Sequence, residues 1–141
     1  MVCIYCGGET AVKNSRPQKR LGHIWRRRLC TVCHATFTTH EIPDLAASLL
    51  VLGASGSLAP FQRDKLYSCV VRSLGHRDDA VAAASALTAT IIVSLLRQHG
   101  GASIARESIV QTSHLVLQRF DRVAGVQYAA YHPITVSSAI S

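Results

Sequence analysis

Acidic side chains are scarce in this sequence: 8 Asp and Glu stand against 15 Lys and Arg in 141 residues, a formal net charge of +7. The few carboxylates form no pair spaced for general acid and base work. Neither a phosphate-cradling P-loop nor a Ser, His and Asp set in catalytic order is present. An enzyme therefore has little chemistry to stand on. Large aliphatic side chains are thin over residues 1–41, the stretch that holds four of the 5 cysteines. A segment so poor in core-forming residues needs another source of stability. Residues 45–141, rich in Ala, Val, Leu and Ile, have no such shortage. A small metal-stapled module followed by a domain of about 100 residues is the expectation.

Charge divides along the same line. Lys13, Arg16, Lys19, Arg20, Arg26, Arg27 and Arg28 face only Glu9 and Glu41 in the first 41 residues, whereas bases and acids nearly balance in the rest. Positive charge concentrated on the cysteine module points to a polyanion such as nucleic acid, not to a small acidic substrate. Cys3 and Cys6 lie where a secretory signal would need its charged and apolar regions, so none is expected there. Two charge-free runs, Leu45 to Gln62 and Ala80 to Leu96, are broken by Gly53, Gly56 and Pro60 or diluted by Ala, Ser and Thr. Neither matches the roughly 20 strongly apolar residues of a spanning helix. A soluble cytoplasmic protein with no membrane partner is expected.

Cys3-x-x-Cys6 and Cys30-x-x-Cys33 each let two thiolates grip one ion from a tight turn. Four thiolates suit a closed tetrahedral Zn²⁺ site that folds the module without catalysing. Such binding contributes on the order of 10 kcal/mol or more, enough to replace a missing core. Zn²⁺ with four thiolates carries a local charge of about −2, which the nearby arginines partly offset. Cys30-Thr-Val-Cys33-His34 also spells a haem-attachment pattern, but that assignment leaves Cys3 and Cys6 without a role. His34 is then a surface residue of the knuckle. Three consecutive arginines on a strand, Arg26 to Arg28, point to both faces. Balancing the thiolates or solvating a strand does not absorb all three, whereas phosphate contacts do. Trp25 beside them either stacks on a base or sugar or packs the thin core of the ribbon.

The β-branched and aromatic run Ala35 to Ile42 predicts a strand ended by Pro43. Beyond it, Ser48 to Leu52, a Gly-Ala-Ser-Gly turn at residues 53–56 and a piece before Pro60 predict a hairpin. Helices follow over Arg63 to Leu74, Asp79 to His99, Ile104 to Phe120 and Val123 to Tyr131. Val81, Leu87, Ile91 and Leu95 form the buried stripe of the second, and Gly100-Gly101 end it. Cys69 reads as a core thiol. The histidines at 23, 40, 76, 99, 114 and 132 are scattered without ligand spacing. The fold class is α+β: a four-cysteine zinc ribbon over 1–43, then a mostly helical domain with a β-hairpin over 44–141.

Several motifs resemble one family. Cys3-x-x-Cys6, Ser15-Arg16-Pro17, Arg26-Arg27-Arg28-x-Cys30-x-x-Cys33 and Phe37-Thr38-Thr39-x-Glu41 resemble the zinc ribbon of NrdR, the bacterial repressor of ribonucleotide reductase genes. Pro60-Phe61-x-Arg63-x-Lys65-Leu66 and Phe120-Asp121-x-Val123-Ala124-x-Val126-x-Tyr128-Ala129 resemble its ATP-cone. The resemblance implies a repressor that binds double-stranded DNA at paired boxes near reductase promoters and senses ATP and dATP by changing its homo-oligomeric state. It implies Zn²⁺ on Cys3, Cys6, Cys30 and Cys33, and DNA at Arg16, Lys19, Arg20, Trp25, Arg26, Arg27 and Arg28. Nucleotide would meet Val51, Leu52, Gly56, Phe61, Arg63 and Lys65. Two departures stand out. Trp25 occupies a position where the family usually has another arginine. The family's Val-x-Lys-Arg-Asp-Gly hairpin reads Val51-Leu52-Gly53-Ala54-Ser55-Gly56 here, without the basic pair; each lost charge-assisted contact costs about 1.5 to 3 kcal/mol. Two alternatives from the residues are a DNA-binding oligomer whose cone does not sense nucleotide and a zinc-ribbon module for protein or RNA.

Overall fold

The computed structural model describes residues 1–20 and 22–133, in two compact units, Met1–Pro43 and Asp44–Ser141. Residues 134–141 of the expected second domain lie outside the described residues.

The first unit is an antiparallel meander of β1 (Thr10–Gln18), β2 (His23–Cys30) and β3 (Thr36–Glu41), with β2 in the centre. Pro17, which has no ladder donor, sits on the edge strand β1, where its missing N–H is tolerated. Gly22, at φ 66°, closes the β1–β2 connection by donating its N–H to the Gln18 carbonyl at 2.9 Å. The register slips between Val12 and Asn14, which leaves Lys13 in a bulge. Among the described residues, Cys3, Cys30 and Phe37 form the buried cluster here, a core too small to hold the sheet alone.

The second unit contains α1 (Leu45–Ser48), β4 (Leu50–Leu52), β5 (Leu58–Pro60), α2 (Arg63–Ser73), α3 (Ala80–Gln98), β6 (Ser103–Ala105), α4 (Arg106–Phe120) and α5 (Arg122–Tyr131). Its small sheet runs β5-β4-β6, with β5 antiparallel and β6 parallel to β4. Phe61, Val70, Leu74, Ile91, Leu95 and Tyr128 are among the residues of one continuous core beneath it.

Sequence and structure differ at three places. The predicted strand from Ser48 is shortened at its start, because the Asp44 carboxylate accepts from the Ala46 and Ala47 N–H groups and caps the short helix α1 instead. Ile104, expected to open a helix, lies in β6, where its 1% exposed side chain is buried with the core. Val81 lies on the predicted α3 stripe but is 65% exposed at the N-terminal turn; burial follows Ala84, Leu87, Thr88, Ile91, Ile92 and Leu95. Helix α3 is, by length and composition, apolar enough to cross a membrane, but that stripe packs into the core of the unit between α2 and α4.

Two contacts fix α5. Asp121 caps it by accepting from the Val123 and Ala124 N–H groups, while His76 and Arg77 hold the second carboxylate oxygen at 3.0 and 3.2 Å. Gly125 lets α5 approach α4 closely: a Cβ there would fall 2.8 Å from the Cα of Gln118.

Candidate metal centre, basic sheet and cavity

The two knuckles are one turn used twice. In each, the residue after the second cysteine takes a left-handed conformation, Gly7 at φ 73° and His34 at φ 58°. Glycine adopts it freely, whereas histidine does so at a cost of about 1 kcal/mol. The Cys-x-x-Cys-His run is thus a knuckle turn, and its two sulfurs point at the other pair. All four Sγ atoms lie within 4.8 Å of one another. Cys3 and Cys33 are 3.7 Å apart and Cys6 and Cys30 3.5 Å. Four sulfurs roughly 2.3 Å from a tetrahedral zinc sit about 3.8 Å apart, so the cage has the size of a Zn²⁺ site.

Its electrostatics ask for a cation. The Cys33 N–H, with help from the Val32 N–H and the Cys6 sulfur, outweighs burial and lowers the Cys30 thiol to about 6. The Ala35 N–H favours the Cys33 thiolate, but the neighbouring Cys6, Cys30 and Cys3 sulfurs together push that thiol up to about 12. Thiolates so close resist joint ionisation until a divalent ion sits among them. Backbone N–H groups of Tyr5 and Val32 donate to the Cys3 and Cys30 sulfurs at 3.4 Å each, fixing the ligands from behind.

The knuckle that holds Cys30 also ends β2, and so anchors the arginine run to the metal cage. The register assigns Asn14, Arg27 and Thr38 to one row, and Arg16, Trp25 and His40 to the next row on the same face. That face carries no carboxylate. Arg27 is exposed and donates to Thr38 and Thr36. Arg16 lies over the half-buried Trp25 ring, 6.0 Å from its centroid, and the His23 and His40 rings meet at 4.8 Å. The opposite face holds Arg26 and Arg28. Glu41 occupies Arg26 through two bonds at 2.8 and 3.0 Å, and Arg28 donates to Thr39 and Thr10. Lys19 and Arg20 are exposed in the β1–β2 connection. Among the described residues, none of the three consecutive arginines donates to a cysteine sulfur.

In the second unit a cavity of about 410 Å³ lies between the β4–β5 hairpin and helices α2, α4 and α5. Of the residues expected at nucleotide, Val51, Phe61 and Lys65 line it, while Leu52, Gly56 and Arg63 are outside the lining. Its walls also include Gly53, Ser57, Cys69, Arg106, Tyr128 and His132. Cys69 is therefore half-buried at a cavity wall instead of a full core thiol. The Tyr128 and His132 rings stack at 4.5 Å with a 33° tilt. Burial first, then Arg106 and Arg72, lowers the His132 pKa. Burial raises the Tyr128 phenol. Arg106 and His132 carry no local sequence signal, since only the tertiary fold brings them to the hairpin.

Paired cysteine knuckles on a three-stranded sheet, with arginines along the central strand, define a zinc ribbon, here followed by an α+β unit with its own cavity. Residues 1–41 match the family model described as the N-terminal domain of NrdR-like transcriptional repressors. Proteins named Transcriptional repressor NrdR from Brucella ovis and Brucella melitensis are 36% identical over 134 residues, covering 94% of this chain and 83% of each relative. The chain belongs to the NrdR family of transcriptional repressors, and the name of these relatives is that of a regulator, not an enzyme.

Proposed function

We propose that this chain is a zinc-dependent DNA-binding repressor of ribonucleotide reductase genes, acting in the cytoplasm. The first unit would bind double-stranded DNA at promoter boxes. The second would sense nucleotide, ATP and dATP being the effectors the resemblance implies, and would mediate self-association. The observation that carries the DNA half is the sheet face with Arg27, Arg16, Trp25, Asn14 and His40 in adjacent rows and no carboxylate among them. Cations on such a face meet phosphates and fix register, while Asn and Trp offer hydrogen bonding and stacking to bases or sugars. Arg16 and Arg27 would make the principal phosphate contacts, Lys19 and Arg20 would extend them past the turn, and Arg26 and Arg28 would act from the other face. A mobility-shift assay on the host's reductase promoter tests this. A zinc-loaded protein that gives no shift, with or without ATP and dATP, refutes it.

A second version keeps the DNA function but makes the cone an oligomerisation domain that ignores nucleotide. The neutral hairpin from Gly53 to Ser57 favours it, because two cations expected at the phosphates are missing. Submicromolar dATP affinity by titration calorimetry would eliminate that version.

A further inference from the structure

The cavity of the second unit has a charge inventory that limits what it can hold. Its lining residues include one lysine and one arginine, Lys65 and Arg106, and no carboxylate accompanies them. Neither takes part in a salt bridge among the described residues, where the ion pairs of this unit use His76, Arg77, Asp79 and Asp121 instead. Two cations without an ion-pair partner among the described residues therefore line a cavity whose other walls are mainly apolar, with Gln62, Ser57, Cys69 and His132 as the polar exceptions. The hairpin that closes it is neutral over residues 53–57, and its backbone is committed to itself: the Gly53 N–H donates to Ser57 O at 2.8 Å and the Gly56 N–H to Gly53 O at 3.0 Å.

We infer that the cavity is matched to a nucleoside monophosphate, with the base against the His132 ring and one phosphate between Lys65 and Arg106. The inference rests on the proposal that this unit senses nucleotide, and it narrows the ligand. A phosphate monoester carries about −1.5 to −2 at pH 7, which two cations neutralise. A triphosphate brings about twice that charge, and its outer phosphates would find neither a side-chain cation on the hairpin nor the Gly53 and Gly56 N–H groups free to donate. Base stacking is the same for all members of the series, so the phosphate count decides their order. Gly53 marks where a third cation would enter. A Cβ there would meet Ser57 Oγ at 2.8 Å, a contact that rotation of the serine side chain relieves.

Titration calorimetry of the full zinc-loaded chain with AMP, ADP, ATP and dATP tests the inference. AMP is expected to bind at least as tightly as ATP and dATP. Gly53→Lys should shift the AMP-to-ATP affinity ratio toward ATP by about tenfold, the equivalent of one charge-assisted contact. Should that variant misfold by circular dichroism, Arg106→Gln supplies a second measurement, with AMP affinity expected to fall about tenfold. ATP or dATP binding more tightly than AMP to the unmodified chain overturns the inference and leaves nucleotide sensing standing. Absence of binding by every nucleotide to folded protein overturns both.

Discussion

Gly125→Ala sets two effects of opposite sign against each other. Alanine is the better helix former by about 1 kcal/mol, so propensity alone predicts a more stable α5. The structure predicts the reverse. The added Cβ would lie 2.8 Å from the Cα of Gln118, 2.9 Å from its Cβ and 3.2 Å from its N. These are backbone and backbone-proximal atoms of α4 that no rotamer change can move, so the helices must part. Overpacking of this kind costs about 1 to 3 kcal/mol, and here it also strains the seat of Tyr128, which is 2% exposed one turn further along α5. The net expectation is a loss of about 1 kcal/mol, equivalent to a Tm about 4 to 8 °C lower for a unit of this size. Among the described residues all the helices belong to the second unit, and the 1 tryptophan belongs to the first. Thermal unfolding followed by far-ultraviolet circular dichroism therefore reports the affected unit, and Trp25 fluorescence serves as the internal control. An unchanged or higher helical Tm would refute the close-approach argument.

Other substitutions probe the remaining links. Arg27→Ala should weaken DNA binding with little sequence preference and reduce the slope of log K against log salt by about one unit, as measured by fluorescence anisotropy at several salt concentrations. His34→Gly should relieve the left-handed turn and raise stability by about 0.5 to 1 kcal/mol, read as slower zinc loss to a chromogenic chelator. The hydrogen bond from His76, then those from the Ala124 N–H, Arg77 and the Val123 N–H, hold the Asp121 pKa well below the usual carboxylate range despite burial. A lowered folded-state pKa contributes stability that is present above the unfolded value of about 3.9 and is lost as pH falls below it. Helical unfolding should therefore become acid-sensitive below about pH 4, and Asp121→Ala should flatten that dependence while lowering Tm at neutral pH.

The metal centre was legible in the sequence because each Cys-x-x-Cys pair is a local turn whose spacing states its chemistry. The left-handed turn at His34 was not: the sequence makes this histidine a surface residue of the knuckle, and its backbone conformation emerges only when the second knuckle is laid over the first. Arginine alternation followed from the period of a strand, but which arginine is paired with a carboxylate depended on Glu41, fifteen residues from Arg26, closing onto it in the third strand. In the second unit the long helices were readable from their apolar periodicity. The three-residue strand around Ile104 was not, since its identity comes from pairing with β4 more than fifty residues earlier. The cavity is the least local feature. Lys65, Arg106 and His132 meet only after α2, α4 and α5 pack, and Gly125, which permits that packing, looks in the sequence like a weakness in a helix.

The most direct measurement follows promoter binding as a function of zinc occupancy. Metal-free protein is titrated with Zn²⁺ while anisotropy is recorded on the reductase promoter and on a shuffled duplex of the same length. Promoter preference should appear in step with one zinc per chain and vanish on chelation, because the metal folds the sheet that presents Arg16 and Arg27. Promoter preference that persists without metal, or equal binding to both duplexes at full zinc occupancy, would contradict it.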